Sequence, residues 1–131
     1  MNNTEKKLYT LIKPHLPGVV SRVENYAEAG TPDVSGCYEN DYWIELKICR
    51  TKNIEVVKLM EPSQLSWHFS RARIGSIIFV IVRHFKAIRI YQAVIVDRIK
   101  LTYFLHFRDE KINNKYKWNI FKKVIEVIVT K

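Results

Sequence analysis

Hydrophobic positions along this chain alternate between two periods, and the switches mark out its elements. Leu8, Leu11 and Ile12 recur at helical spacing behind Thr4, a residue suited to cap a helix, which predicts a helix over residues 4–13. Pro14 and then Pro17-Gly18 end it. Residues 19–23 read as a short strand, and Gly30-Thr31-Pro32 as a turn. Two apolar-rich stretches, 33–38 and 42–49, flank Glu39-Asn40-Asp41 and predict a hairpin. Pro62 opens a second helix through Ala72 and Gly75 closes it. Residues 76–83 and 87–96 are rich in Ile and Val and read as strands. From Asn113 onward, Trp118, Phe121, Val124, Ile125 and Ile128 follow helical spacing, although residues 125–130 also suit a strand. The expected architecture is a single mixed α/β domain over residues 1–131, with a central sheet of four or five strands flanked by helices. Its motif-bearing core spans about 4–96, followed by a helical tail over about 97–131.

Two positions in this pattern are out of character. Glu45 and Lys47 interrupt the apolar run Trp43, Ile44, Leu46 and Ile48, and residues two apart in a strand share a face. Asp33 opens the neighbouring strand, and the turn decides whether it joins them. If Tyr38 pairs with Trp43, Asp33 falls opposite Ile48 on the wrong face. If Tyr38 pairs with Tyr42, around the three residues 39–41, Asp33 falls opposite Lys47 and shares a face with Glu45. A working site therefore needs an odd-length loop or an equivalent bulge. Two converging carboxylates repel one another unless a hard cation lies between them. Such a cation can hold and polarise a phosphodiester and activate water, while an adjacent ammonium stabilises the charge that develops. The plainer alternative is a surface ion pair between Glu45 and Lys47 with an unrelated Asp33 nearby.

Charge adds to this picture. The net charge is +9, and it is unevenly distributed: residues 1–64 hold 8 Lys/Arg against 9 Asp/Glu, whereas residues 65–131 hold 14 against 4. A basic surface of this kind suits a phosphate backbone. Cys37 and Cys49 have neither zinc-ligand spacing nor a disulfide framework around them, and read as ordinary reduced residues. There is no apolar signal core in the first residues, and the longest apolar run, 77–82, is too short to cross a bilayer. These features imply a cytoplasmic protein that is not bound to membranes. No P-loop, dinucleotide-binding glycine string or Gly-x-Ser-x-Gly occurs, so no nucleotide cofactor and no acyl transfer are expected.

Taken together, Pro32-Asp33 and Glu45-Leu46-Lys47 resemble the PD-(D/E)xK nuclease signature. The wider string is Arg22-Val23-Glu24-Asn25, Gly30-Thr31-Pro32-Asp33-Val34, Trp43-Ile44-Glu45-Leu46-Lys47 and Pro62-x-Gln64-x-x-Trp67. It is similar to the phage-type VRR-NUC nucleases, relatives of the archaeal Holliday-junction resolvases. The resemblance covers roughly residues 4–85 and implies a restriction-endonuclease-like mixed sheet flanked by helices. It also implies a Mg²⁺- or Mn²⁺-dependent endonuclease that hydrolyses DNA phosphodiesters, often as a homodimer on branched DNA in recombination or repair. On the resemblance, Asp33, Glu45 and the Leu46 carbonyl would hold the metal, Lys47 would be the catalytic lysine, and Gln64 would lie beside the site. A helper carboxylate is expected at Glu24, acting through water, in preference to Glu5 on the first helix. His68, Arg71, Arg73 and Arg83 are candidate DNA contacts. Gln64, His68 and Arg71 should form the polar face of their helix, while Leu65, Phe69 and Ala72 pack on the sheet. Trp67 reads as a core or dimer-contact residue. A non-catalytic DNA-binding or assembly module of the same fold, or a flap or nicking nuclease, is the alternative.

Overall fold

The structure, a computed structural model, describes residues 1–24 and 28–131. Helix α1 (Asn3–Ile12) leads through a short 3-10 turn (Lys13–His15) into strand β1 (Val19–Arg22). Strands β2 (Val34–Tyr38) and β3 (Asn40–Cys49) follow, then a second 3-10 turn (Val56–Leu59) and helix α2 (Pro62–Ala72). Strands β4 (Ile77–His84), β5 (Ala87–Val96) and β6 (Lys100–Asp109) precede the last helix, α3 (Lys115–Val129). The six strands form one sheet in sequence order. Every neighbouring pair is antiparallel except β3 and β4, which run parallel because α2 carries the chain back between them.

Helices α1 and α3 cover one face of the sheet. Leu8 and Ile12 of α1 and Phe121 and Ile125 of α3 meet Ile44, Leu46, Phe79 and Ile81 in one fully buried cluster. Each such side chain contributes about 1.5–3 kcal/mol through burial. On the other face, α2 and the chain before it cover Val80, Val82 and Tyr91.

Several sequence expectations change in detail. Asn2, not Thr4, caps α1: its side chain accepts from the Glu5 N–H at 2.9 Å and from the Thr4 hydroxyl at 2.8 Å. The stretch 97–131 is not a helical tail throughout, since residues 100–109 form β6 along the whole of β5. That strand lies at the sheet edge and is largely exposed, with a bulge at Ile90/Tyr91, so its sequence lacks a clean two-residue alternation. Residues 125–129 are helical, because Ile125 and Val129 point into the core one turn apart. The sheet therefore has six strands.

Candidate functional site

The β2–β3 turn sets the site. Glu39 alone links the two strands, at φ +64°, and Tyr38 pairs with Asn40. The loop is odd in length but two residues tighter than expected. The register runs on to Val34 against Ile44, so its next step sets Asp33 opposite Glu45 rather than Lys47. The shared face survives the change, because a shift of two residues preserves it. This register also stacks Tyr42 directly over Gly36: a Cβ there would lie 2.3 Å from the Tyr42 ring. The Tyr42 hydroxyl donates to the Pro17 carbonyl at 2.6 Å and ties the hairpin to the end of α1.

Past the end of β2, the Asp33 carboxylate accepts the Leu46 N–H at 3.0 Å. In an extended strand the N–H and C=O of one residue face the same edge. The Leu46 carbonyl is thereby aimed at the edge where Asp33 stands, beyond the last β2 pair. Glu45 is 1% exposed, and its carboxyl lies close enough to Asp33 for the two to share a proton. Burial, then the hydrogen bond and charge of Asp33, push the Glu45 carboxyl far above the usual carboxylate range, with Lys47 opposing. The buried Glu45 Oε1 has no hydrogen-bond partner.

Lys47 Nζ donates to Gln64 Oε1 at 2.8 Å, and the same oxygen accepts the Glu61 N–H at 2.8 Å in a capping box. The cap of α2 thus fixes the lysine. A cleft of about 440 Å³ opens here, lined by Glu28, Gly30, Thr31, Asp33, Ser63 and Gln64. Gly30 makes it possible, since at φ +86° a Cβ would fall 2.1 Å from the Ser63 carbonyl oxygen. Gly30→Ala should therefore force the loop off α2 and destabilise the protein by more than about 1 kcal/mol. Thermal unfolding measures this, and an unchanged midpoint would show that the close approach is not needed.

His68 is fully buried and touches no solvent, so it is not a DNA contact. The sheet-facing stripe of α2 includes Leu65 and Ala72, as expected, but its buried centre is Trp67 and His68, so His68 leaves the polar face assigned to it. Trp67 is a core residue, packing edge-on against Trp43. His68 Nδ1 lies 2.7 Å from the Tyr103 hydroxyl, and Nε2 faces Glu45 Oε1 at 3.5 Å, too long for a good hydrogen bond. A bare Nε2 lone pair would oppose the Glu45 oxygen, so we assign the proton to Nε2 and let Tyr103 donate to Nδ1. Burial, and next the Lys47 charge, lower the His68 pKa to about 4, which keeps the ring neutral. Burial, and next Glu45, raise the Tyr103 pKa, so the phenol keeps its proton. Sequence reasoning missed Tyr103 because it lies on β6, where no strand was expected.

Of the two helper candidates, Glu5 and not Glu24 feels the charges of the cluster. Glu24 is 69% exposed and pairs with Arg22 at 3.6 Å; its neighbour Asn25 lies outside the described residues. The Glu5 carboxyl is raised by burial and then by Asp33, and Lys47 opposes this, so it lies within the field of both. Arg71 forms an ion pair with Glu28 and lies over the Trp67 ring, 4.9 Å from its centroid, so its charge is already engaged. Arg73 is exposed at the far end of α2 from Gln64. Arg83, at the end of β4, lines a separate cavity.

The donor set suits a hard divalent cation. Asp33 and Glu45 supply carboxylate oxygens, one of them unpartnered, and the Leu46 carbonyl faces the same edge. Among the described residues no third His, Cys, Asp or Glu joins them at coordinating distance. A small cation such as Mg²⁺ takes one or two carboxylates and fills its remaining positions with water and phosphate oxygens. No protein-family model matches the chain, and no curated protein matches it either. Among the described residues no helix is long and apolar enough to cross a membrane.

Proposed function

We propose that the chain is a metal-dependent endonuclease that hydrolyses DNA phosphodiester bonds, built on a restriction-endonuclease-like version of this mixed sheet. The observation that carries the reading is the clustering of Asp33, Glu45, Lys47 and Gln64 at the switch between antiparallel and parallel strands, beside a cleft that Asp33 and Gln64 line. A Mg²⁺ or Mn²⁺ ion held by Asp33, Glu45 and the Leu46 carbonyl would supply Lewis acidity and a nucleophilic water. Asp33 is fixed by the Leu46 N–H, and Lys47 by Gln64, so neither reorganises when substrate enters. The Lys47 ammonium stabilises negative charge developing on the phosphate. His68, held by Tyr103, turns Nε2 toward Glu45 at 3.5 Å and backs the carboxylate from behind.

The substrate reading is branched DNA. A junction with two-fold symmetry is matched by a two-fold protein with two sites, so we propose a C2 homodimer. The test offers purified protein four-way junctions, flaps, nicked duplex and linear duplex with Mg²⁺ or Mn²⁺, alongside light scattering. A dimer making paired symmetric cuts in junctions supports the resolvase-like reading. A strict monomer that cuts linear duplex as readily as junctions defeats it and leaves a general nuclease.

Glu5 takes the helper role in this account, reversing the preference drawn from the motif. Glu5→Gln should cost at least tenfold in cleavage rate, and Glu24→Gln little, because Glu24 is solvated and engaged with Arg22. The opposite ranking would place the helper on the segment after β1.

A further inference from the structure

A cavity of about 370 Å³ lies between α1 and the carboxyl-terminal ends of β3 and β4, lined by Thr4, Lys7, Ile48, Arg50, Arg83 and Phe85. We propose that it binds a single unpaired nucleotide of the DNA substrate, with the base against Phe85 and Ile48 and the flanking phosphates on Lys7, Arg50 and Arg83. The proposal rests on the nuclease reading and deepens it, since it makes a frayed or single-stranded segment part of what is recognised.

Three independent observations support it. The first is charge. Lys7, Arg50 and Arg83 form no ion pair among the described residues, and no acidic residue lines the cavity. Three unneutralised cations around an apolar floor suit a ligand that is anionic at its edge and flat at its centre. The volume lies at the lower end of the range for small-ligand sites, and a paired base cannot enter such a cavity without leaving its partner.

The second observation is Phe85 itself. It is the first of two residues linking His84 to Ala87, with φ +56°, where glycine is the usual occupant. A bulky side chain at this conformation is an outlier. Phe85 is nonetheless 62% exposed, and its ring makes a tilted contact with His84 at 4.8 Å outside the core, so burial does not explain it. An aromatic ring kept in a conformation that disfavours it and left in water is suited to stack on a ligand.

Continuity with the cleft is the third. Strand β3 runs from Lys47 through Ile48 to its end at Cys49, and Arg50 follows at once, so the chain cannot carry Arg50 more than roughly 10 Å beyond Lys47. Helix α1 spans the same gap, with Glu5 within the field of Asp33 and Lys47 while Thr4 and Lys7 line the cavity. A DNA strand crossing the carboxyl-terminal end of β3 passes from the carboxylates on one face to the cavity on the other.

The test uses fluorescence anisotropy on the full chain in chelator, so that binding is read without cleavage. The probes are a blunt duplex, the same duplex with a short single-stranded overhang, and that overhang made abasic. Wild type should favour the intact overhang over both others. Phe85→Gly should lose that preference, weakening overhang binding about five- to 150-fold while leaving blunt duplex unchanged. Its melting temperature should hold or rise, because glycine accepts the positive φ, so weakened binding cannot be put down to misfolding. Arg50→Ala and Arg83→Ala should each weaken all three probes and reduce the salt slope by about one. Equal affinity for intact and abasic overhangs, or an unaltered Phe85→Gly, would overturn the proposal and leave a phosphate clamp at most. If Mg²⁺-dependent cleavage is absent while base discrimination persists, the nuclease reading fails and this one stands.

Discussion

Lys47→Ala should lower the cleavage rate by about 10²–10³-fold while leaving divalent-cation affinity and DNA binding close to wild type. The expected size follows from removing one preorganised donor from developing transition-state charge, worth about 2.7–4 kcal/mol. The two carboxylates are on other residues, and Asp33 keeps its own anchor on the Leu46 N–H, so the cation site should survive. Gln64 loses its lysine but retains the Glu61 N–H, so the cap of α2 should hold. Single-turnover cleavage and Mn²⁺ titration separate the two effects. Loss of Mn²⁺ affinity together with activity would assign Lys47 to building the site rather than to chemistry.

Glu45→Gln has the second large effect, and in the opposite sense for stability. It should abolish cleavage yet raise the unfolding midpoint by several degrees in metal-free buffer at neutral pH or above. The Glu45 carboxyl is raised in the folded protein, by burial first and by Asp33 next, from an ordinary value near 4.5. Above that value the unfolded chain gives up its proton while the folded one keeps it. The native state then binds more protons, and stability falls as pH rises. Glutamine stays neutral and can donate to Asp33, which removes this pH-dependent loss and relieves about 1–3 kcal/mol. Unfolding midpoints across a pH series check it: the variant should show the shallower fall. Divalent cation should narrow the gap by stabilising wild type alone, since the ion displaces the proton from Glu45. A variant less stable than wild type at every pH would mean that Glu45 supports the fold.

How much of this was legible in sequence differs from residue to residue. Glu45 and Lys47 stood out because they broke an apolar strand pattern, Asp33 because it opened the neighbouring strand, and Gln64 through the resemblance; in the structure Asp33 and Gln64 line one cleft, with Glu45 and Lys47 packed behind them. The exact register was not legible. It depends on Glu39 adopting a left-handed conformation alone, which gives a tighter turn than the residue types suggest. The burial of His68 on α2 was missed for a related reason. His68 is polar by type, but Tyr103 bonds its Nδ1 in the interior while Nε2 faces Glu45, and Tyr103 belongs to an edge strand with no clean periodicity. The choice between Glu5 and Glu24 likewise needed tertiary placement, because both are ordinary acids until Asp33 and Lys47 are seen beside one of them.

The most direct measurement compares wild type and Asp33→Ala, purified identically, on end-labelled branched DNA with Mg²⁺ and again with excess chelator. The account predicts Mg²⁺-dependent cleavage by wild type, none in chelator, and none by Asp33→Ala even where it binds the DNA as tightly. Cleavage that persists in Asp33→Ala, or a wild-type protein that binds branched DNA without cutting it under either Mg²⁺ or Mn²⁺, would contradict it.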